Sequence, residues 1–392
     1  MNKALLQPEV SKFTRENLKQ DLPSLILKGS PFKDVNIQEL ATQIKGLKVA
    51  EKKFPEFYNH ANILYPPKLN LEQTSSEITA KYKASLIEGE SGIDLTGGLG
   101  IDSYFISKRF KKFNYCELNP GLAEIAQHNF RELKAENISV ITGDGLKILQ
   151  ETKENFDWVY TDPARRDDHG GKVFKFEDCE PNIPQHLKLI FQRTSHLMVK
   201  SSPILDITSG IQELRFVKEI HIIAVGNEVK ELLWILTNDL AGKPLIKTVN
   251  IERDRKQEFS GKFENGLPDI KFSLPEAYLY EPNAAIMKSG LFNQVASQTN
   301  TKKLHQHSHL YTSGDPVEFP GRSFKITEIK EFKTGNLKKY FKNKKANITT
   351  RNFPETVENL RKKFKIKDGG SDYIFFTTNM NNEKIVIFCK KD

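Results

Sequence analysis

Cysteine is scarce in this chain: Cys116, Cys179 and Cys389 are the 3 cysteines among 392 residues. So few, and so scattered, they exclude a disulfide framework or a cysteine-rich zinc site, and they are expected to stay reduced. Long apolar runs are missing as well. None approaches the ~20 residues a membrane helix needs, so no membrane partner is expected. The opening Met1-Asn-Lys-Ala-Leu-Leu-Gln-Pro-Glu9 lacks a signal-peptide core, and the expected location is cytoplasmic. No G-x-x-x-x-G-K-[ST] phosphate loop occurs, and there is neither an internal repeat nor a low-complexity tract.

Charge is present but unevenly placed. Residues 322–392 hold 18 Lys and Arg against 8 Asp and Glu, an excess of ten that is larger than the net +9 of the whole chain. A cationic segment of this kind favours a polyanion such as nucleic acid; a Lys-rich solubilising surface is the other reading.

The length implies more than one core. Residues 1–88 carry apolar residues at helical spacing over Thr14 to Gln20, Ile37 to Ile44, Glu51 to His60 and Ser75 to Glu88. From 89 to 240, short apolar strands alternate with amphipathic helices, which predicts a parallel sheet. Its strands are expected at Gly92 to Leu95, Asn114 to Glu117, Ile138 to Thr142, Trp158 to Thr161, His196 to Lys200, Glu219 to Val225 and Val229 to Leu236. Only Gly226-Asn227-Glu228 links the last two, which predicts an antiparallel hairpin at the sheet edge. Residues 241–321 read as a small α+β domain, with strands Ile246 to Glu252, Gln257 to Phe263 and Leu304 to Thr312 and a helix Pro282 to Phe292. Residues 322–392 read as a second, basic one.

Asp94-Leu-Thr-Gly97-Gly98-Leu-Gly100-Ile-Asp102 closes the first of those strands. The glycines allow close backbone approach and the following helix offers free N–H groups, while Asp94 would repel a pyrophosphate and attract an ammonium. S-adenosylmethionine joins an ammonium, a carboxylate, a ribose diol and an adenine in one molecule. In a doubly wound sheet, ligands bind at the carboxyl ends of the strands. Glu117 ends the second strand and suits the ribose hydroxyls, Asp144 follows the third and suits the adenine amino group, and Asp162 closes the fourth in Tyr160-Thr-Asp-Pro-Ala-Arg-Arg166. Each carboxylate alone reads as well as a helix cap or turn residue; four at successive strand ends argue for one pocket. A dinucleotide fold would prefer G-x-G-x-x-G, and here Ser103 stands at the third position.

These residues carry a resemblance. The chain resembles class I S-adenosylmethionine-dependent methyltransferases, and more narrowly the bacterial group with C-terminal ferredoxin-like and THUMP-like domains. The matching segments are Gln73-Thr-Ser-Ser-Glu-Ile-Thr-Ala-Lys-Tyr-Lys83, the Asp94 block, Asp162-Pro-Ala-Arg-Arg166, Val199-Lys-Ser-Ser-Pro203, Glu228-Val-Lys-Glu231, Glu281-Pro-Asn283 and His309-Leu-Tyr-Thr-Ser313. The resemblance implies a Rossmann-like α/β sheet of seven strands with an antiparallel last strand, an N-terminal helical region and small C-terminal α+β domains. It also implies S-adenosylmethionine held by Asp94, Thr96, Gly97, Gly98, Gly100, Asp102, Glu117 and Asp144, and RNA capture by the THUMP-like module.

For catalysis, Asp162, Pro163 and Arg165 are the candidates, because methyl transfer from a sulfonium needs alignment and exclusion of water. Enzymes that methylate exocyclic amines carry Pro-Pro-aromatic after the first motif residue, where this chain has Pro163-Ala164-Arg165. Carbon methylation of pyrimidines needs a thiol nucleophile, and Cys179 is the candidate beside the reading of a packed cysteine. Arg166 and Lys200, with Lys338, Lys339, Arg351 and Arg361 of the basic module, are candidate RNA contacts. For the Arg165-Arg166 pair, an ion-pair cluster with Asp167 and Asp168 is an equal account. His305, His307 and His309 would share a face if that stretch is a strand, yet no metal is expected. Tyr278, Tyr280 and Tyr311 read as core or as base-stacking residues. The expected function is methylation of a structured RNA. A non-catalytic RNA-binding protein and a protein or small-molecule methyltransferase are the alternatives.

Overall fold

The computed structural model describes every residue except 68–70, 72–73, 166–174, 240–241, 264–269, 342–343 and 392, with backbone alone at 165, 334, 336, 338 and 339. The chain divides into one unit of Met1–Lys218 with Leu233–Ala241, and another of Glu219–Leu232 with Gly242–Asp392.

The first unit opens with helices α1 (Pro8–Glu16), α2 (Leu22–Lys28) and α3 (Ile37–Lys53). Proline in the first turn starts α1 and α2, where its missing N–H has no intrahelical partner to lose, and Asn36 with Glu39 closes a capping box on α3. Their apolar faces meet around Val10, Leu25, Leu40 and Ile44. The periodicity predicted a start at Thr14 and an end at Ile44. The real start is set by Pro8, and α3 continues past Gly46 because the Tyr65 ring fills the space a side chain there would need. Helices α4 (Pro55–Asn59) and α5 (Glu77–Ala84) complete the region.

Strands β1 (Gly89–Asp94), β2 (Phe110–Glu117), β3 (Ile138–Thr142), β4 (Trp158–Thr161) and β5 (His196–Ser201) follow. They lie in the order β5-β4-β1-β2-β3, every neighbouring pair parallel. Helices α6 (Ile101–Ser107), α7 (Pro120–Glu132), α8 (Gly145–Glu151), α9 (Ile183–Ile190) and α10 (Ile207–Leu214) alternate with them. Such strands are covered on both faces, and Ile93, Val159, Leu197, Met198 and Val199 are fully buried.

Strands β6 (Val217–Val225) and β7 (Glu228–Thr237) are joined by Gly226-Asn227, both in the left-handed region as a tight hairpin requires. Residues Leu233–Thr237 of β7 belong to the first unit, where β7 flanks β5. In the second unit the hairpin is not the edge that the sequence predicted. Strand β8 (Leu245–Ile251) runs parallel to β6, and β9 (Lys256–Lys262) antiparallel to β8. The reason lies in β6 itself: Ile220, Ile222, Ile223 and Ala224 are fully buried, a composition unsuited to an open edge. The strands expected to open the small α+β domain therefore extend the sheet that contains β6. The fold class is otherwise as expected, an α/β sheet with N-terminal helices and a C-terminal sheet domain.

The rest of the second unit is built on a second sheet. Its strands are β10 (Tyr278–Pro282), β11 (Tyr311–Ser313), β12 (Gly321–Glu331), β13 (Lys345–Arg351), β14 (Lys367–Thr378) and β15 (Lys384–Lys391), with the short Lys302–Lys303 beside β11. The order is β11-β10-β12-β15-β14-β13, antiparallel except for β13 with β14. Helices α11 (Ala284–Ser289) and α12 (Phe292–Gln298) replace the single helix expected there, because Gly290 turns left-handed between them. Helices α13 (Thr334–Phe341) and α14 (Val357–Phe364) pack Leu337, Phe341, Leu360 and Phe364 on Phe376 and Phe388. Tyr280 and Tyr311 are fully buried and stack around Phe319, so they are core residues.

The strand expected over Leu304 to Thr312 is instead a turn that ends in β11. His309 has a positive φ and stacks on Phe292, while Ser308 is buried and donates to the Thr378 carbonyl at 2.7 Å. The three histidines therefore do not share a strand face. No cluster of His, Cys, Asp and Glu suited to a metal occurs among the described residues. Among those residues, no helix is long and apolar enough to cross a membrane.

One buried amide links the helical region to the sheet layer. Asn129 on α7 is fully buried, accepts from the Leu64 N–H at 2.9 Å and donates to the Leu64 carbonyl at 2.9 Å. Replacing Asn129 with Ala leaves both backbone groups unpaired and is expected to cost about 2–4 kcal/mol. Denaturant unfolding followed by fluorescence reads this directly, since Trp158 and Trp234 both lie in the first unit; an unchanged midpoint would contradict it.

Candidate active site

The chain runs β1, β2, β3 outward in one direction, then returns to place β4 on the other side of β1. Strand order reverses between β1 and β4, and a crevice forms there at the carboxyl ends. Asp94, Glu117, Asp144 and Asp162 all stand at or within two residues of those ends. So does Lys200 on β5.

Asp94 is 1% exposed and acts as the hub. One carboxylate oxygen accepts from the Thr96 N–H at 2.9 Å and from its hydroxyl; the other accepts from the Ser103 hydroxyl on α6. The Thr96 hydroxyl oxygen in turn accepts from the Asp162 N–H at 2.7 Å. Three elements, β1, α6 and the end of β4, are thus tied through Asp94 and Thr96 together. Burial pushes the Asp94 carboxyl up to about 7, against the pull of the Ser103 and Thr96 hydrogen bonds, with Asp102 and Asp162 adding to the rise.

The glycines of the loop divide by what surrounds them. A Cβ on Gly97 would strike the Tyr115 ring at 2.1 Å, and one on Gly100 would strike Phe130 at 2.4 Å, so both are demanded by packing. Gly98 is left-handed and a Cβ there would meet nothing within 4 Å. Its N–H donates to Glu117 at 2.9 Å, its carbonyl accepts from Tyr115, and the second Glu117 oxygen accepts from the Asn119 N–H at 2.8 Å. Glu117 is therefore fixed at the rim of an open glycine. Asp144 caps α8, accepting from the Leu146 N–H at 2.9 Å. Leu118, next to Glu117, is 72% exposed, an apolar surface at the same rim that the sequence reading missed.

Asp102 is engaged differently. It pairs at 3.0 Å with Lys83, which is fully buried, and accepts from the hydroxyls of Ser75 at 2.7 Å and Tyr160 at 2.8 Å. Burial would raise its carboxyl, but Lys83, with Lys200 and the two hydroxyls, overrides burial and holds it below the usual range. This network clamps α5 to α6 and β4. Lys83 and Ser75 fall in the Gln73-to-Lys83 segment quoted for the resemblance, but a lysine on a short helix gives no sign in sequence that it is buried. Gln73 itself lies outside the described residues.

Asp162 accepts from the Lys200 ammonium, and Lys200 is 8% exposed. Pro163 is buried beside it. The backbone of Arg165 faces Cys179 across a two-residue antiparallel ladder; its side chain, and all of Arg166, Asp167 and Asp168, lie outside the described residues. Cys179 is 1% exposed, so its thiol is not presented to a substrate. In the second unit, the Lys338 and Lys339 side chains also lie outside the described residues. Arg351 pairs with Glu281 at 3.0 Å, and Arg361 donates to the Ala346 carbonyl at 3.2 Å and to Asp368. Both arginines hold the local fold. Within the first unit the structure thus gathers the expected cofactor residues and Asp162, Pro163 and Lys200 at one edge of the sheet.

Comparison with known proteins adds three findings. A family model for a ferredoxin-like domain matches residues 278–320, and one for a THUMP-like domain matches residues 321–391. A crystal structure from Porphyromonas gingivalis W83, described as that of a candidate methyltransferase, is 31% identical, covers 99% of this chain and 98% of its own, and superposes with a TM-score of 0.88. An uncharacterised RNA methyltransferase of Mycoplasma mobile is 31% identical over 135 residues, 33% of this chain; the match spans only 37% of that relative's length.

The raised Asp94 carboxyl has a consequence for stability. Below about pH 4 both folded and unfolded chains carry a protonated Asp94. As pH rises toward 7 the unfolded carboxyl ionises first, so the folded state holds the extra proton and this group's contribution to stability falls. The Asp94→Asn variant is expected to flatten that part of the pH dependence between 4 and 7. Denaturation midpoints across that range test it, and an identical slope in the variant would contradict it.

Proposed function

The chain belongs to the methyltransferase family that carries ferredoxin-like and THUMP-like domains at its C-terminal end, and from that premise we propose that it is a cytoplasmic S-adenosylmethionine-dependent enzyme that methylates a structured RNA. The convergence of Asp94, Glu117, Asp144 and Asp162 on the carboxyl edge of one parallel sheet, around an open Gly98, carries the reading. RNA as substrate is supported by the THUMP-like match and by the name of the Mycoplasma relative. As working boundaries we take a helical region at 1–88, a methyltransferase domain from 89, a ferredoxin-like domain at 278–320 and a basic domain from 321.

The residues present fit the cofactor. Glu117 would accept from the ribose hydroxyls and Asp144 from the adenine amino group, and Leu118 would offer an apolar surface to the purine. Gly97, Gly98, Gly100 and Thr96 would shape the loop that the ligand lies against; the buried Asp94 holds that loop through Thr96 and Ser103, and its ionised form would attract the ammonium end. Asp102 supports that loop from behind through Lys83. When bound, S-adenosylmethionine supplies a methyl group on a sulfonium, open to in-line displacement. The protein aligns the acceptor and keeps water out. Asp162, held by Lys200 and by the Thr96 hydroxyl, would accept a hydrogen bond from an acceptor N–H, with the buried Pro163 next to it in the chain. A nitrogen acceptor is favoured over a pyrimidine carbon because the Cys179 thiol is buried. Arg165 and Arg166 are suited to a phosphate beside the acceptor, and Lys338 and Lys339 to RNA contacts on the basic domain.

Incubation with methyl-labelled S-adenosylmethionine and separate RNA, DNA and protein fractions tests the proposal. Label is expected in RNA, and Asp162→Asn should reduce its incorporation on the order of 100-fold with cofactor binding retained. Label in protein alone would favour the protein-methyltransferase alternative. Binding of RNA without label in any fraction would favour a non-catalytic binder.

A further inference from the structure

The charge excess of the basic domain looks different once its ion pairs are assigned. Lys330, Lys333 and Lys363 sit on Glu328, Glu331 and Glu355, while Lys344 and Lys390 share Asp372. Arg361 pairs with Asp368. These cations are locally neutralised. Lys325, Lys345, Lys362, Lys365, Lys367 and Lys391 are exposed, and of these Lys345, Lys365 and Lys367 flank one backbone feature, Lys345 and Lys367 in register and Lys365 two residues earlier in the chain.

Strands β13 and β14 run in parallel register with a jump at their start. Lys345 faces Lys367, but the next residue, Ala346, faces Asp372, so Asp368-Gly369-Gly370-Ser371 is looped out of the ladder. Gly369 and Gly370 have φ of 88° and 87°, a conformation that costs other residues heavily. A Cβ on Gly370 would stand 2.9 Å from the Lys345 carbonyl oxygen, and one on Gly369 would stand 3.1 Å from the Lys345 Cε. The Lys345 side chain therefore lies along the glycine pair. The loop is also pinned. Asn347 donates to the Gly370 carbonyl at 2.9 Å, and the Arg361 guanidinium joins Ala346 to Asp368. Lys365 leaves α14 in a left-handed conformation, and the Lys367 N–H donates to the Lys344 carbonyl at 3.0 Å.

A bulge in a sheet is a built feature that re-aims what it carries. This one presents a side-chain-free glycine pair with the Lys345 side chain along it and the exposed Lys365 and Lys367 just before it in the chain, while its first residue, Asp368, is paired with Arg361. We infer that the Asp368–Ser371 bulge, with Lys345, Lys365 and Lys367, is a contact for the phosphodiester backbone of RNA; the inference rests on the RNA reading above. The absence of an apolar centre favours a nucleic-acid backbone over a protein partner. Ile366, between two of the lysines, is 5% exposed, and the exposed large hydrophobics of this domain are Ile329 and Met380, neither in the bulge. Stable protein interfaces have a desolvated apolar core, whereas phosphate contacts need only cations and N–H donors.

Fluorescence anisotropy of labelled unfractionated transfer RNA with the full chain, titrated from 50 to about 300 mM KCl, tests the site. The triple variant K345E/K365E/K367E is expected to bind at least about tenfold more weakly at the lower salt, with a log–log salt slope reduced by about 2. The neutral variant K345Q/K365Q/K367Q should show a smaller loss. K12E/K28E/K33E, on the N-terminal helical region, should match the wild type. Both lysine sets are exposed, and unchanged binding of S-adenosylmethionine serves as the folding control. If the wild type binds the RNA and K345E/K365E/K367E binds with the same affinity and slope, the bulge is not the contact, while the RNA reading stands. Failure of the wild type to bind any RNA would overturn both.

Discussion

Everything at the crevice hangs on a carboxylate that solvent does not reach. Asp94 receives the Thr96 backbone and hydroxyl on one side and Ser103 on the other, and Thr96 passes the constraint on to the Asp162 backbone. An unpaired buried carboxylate would be costly, and these hydrogen bonds offset that cost. The result is a loop whose position is set relative to α6 and β4 before any ligand arrives. Behind it the Lys83–Asp102 pair repeats the arrangement, binding α5 to α6 with Lys83 fully buried and Asp102 largely so. Breaking such a pair leaves a stranded charge and is typically worth about 3–5 kcal/mol, so these residues serve geometry more than contact.

Much of this was legible in the sequence. Parallel strands buried on both faces write themselves as short apolar runs, and β3 and β4 begin and end where the pattern placed them. The strand-end carboxylates were legible because the sheet topology sends every carboxyl end to one edge. What escaped notice were pairings set by tertiary contact. The continuation of α3 through Gly46 depends on Tyr65 arriving from another segment, and the turn at His305 to His309 depends on Ser308 reaching Thr378. The covering of β6 by β8 was missed because the short Gly226-Asn227-Glu228 link alone suggests an edge hairpin, whereas a strand as apolar as Ile220, Ile222 and Ile223 make β6 is unsuited to an open edge. Leu118 was passed over because a single leucine after a strand is ordinary until its exposure is seen.

The basic domain teaches a related lesson about charge. Its excess is a property of composition, but electrostatic reach depends on which cations keep their charge uncompensated. Arg351 and Arg361 looked like RNA contacts because arginine forks suit phosphate, and they use those forks on Glu281, Ala346 and Asp368. Lys345, Lys365 and Lys367 stand in the basic runs that the sequence shows before Arg351 and Gly369-Gly370, but the register jump that brings Lys345 to the glycine pair has no signature there.

The central claim, that acidic strand ends around Gly98 form an adenosyl pocket, is tested most directly by isothermal titration of the full chain with S-adenosylmethionine. The account predicts saturable binding at one site per chain, weakened by roughly tenfold or more in Glu117→Ala, as expected for losing charge-assisted hydrogen bonds. Absence of binding, or affinity unchanged by Glu117→Ala, would contradict it.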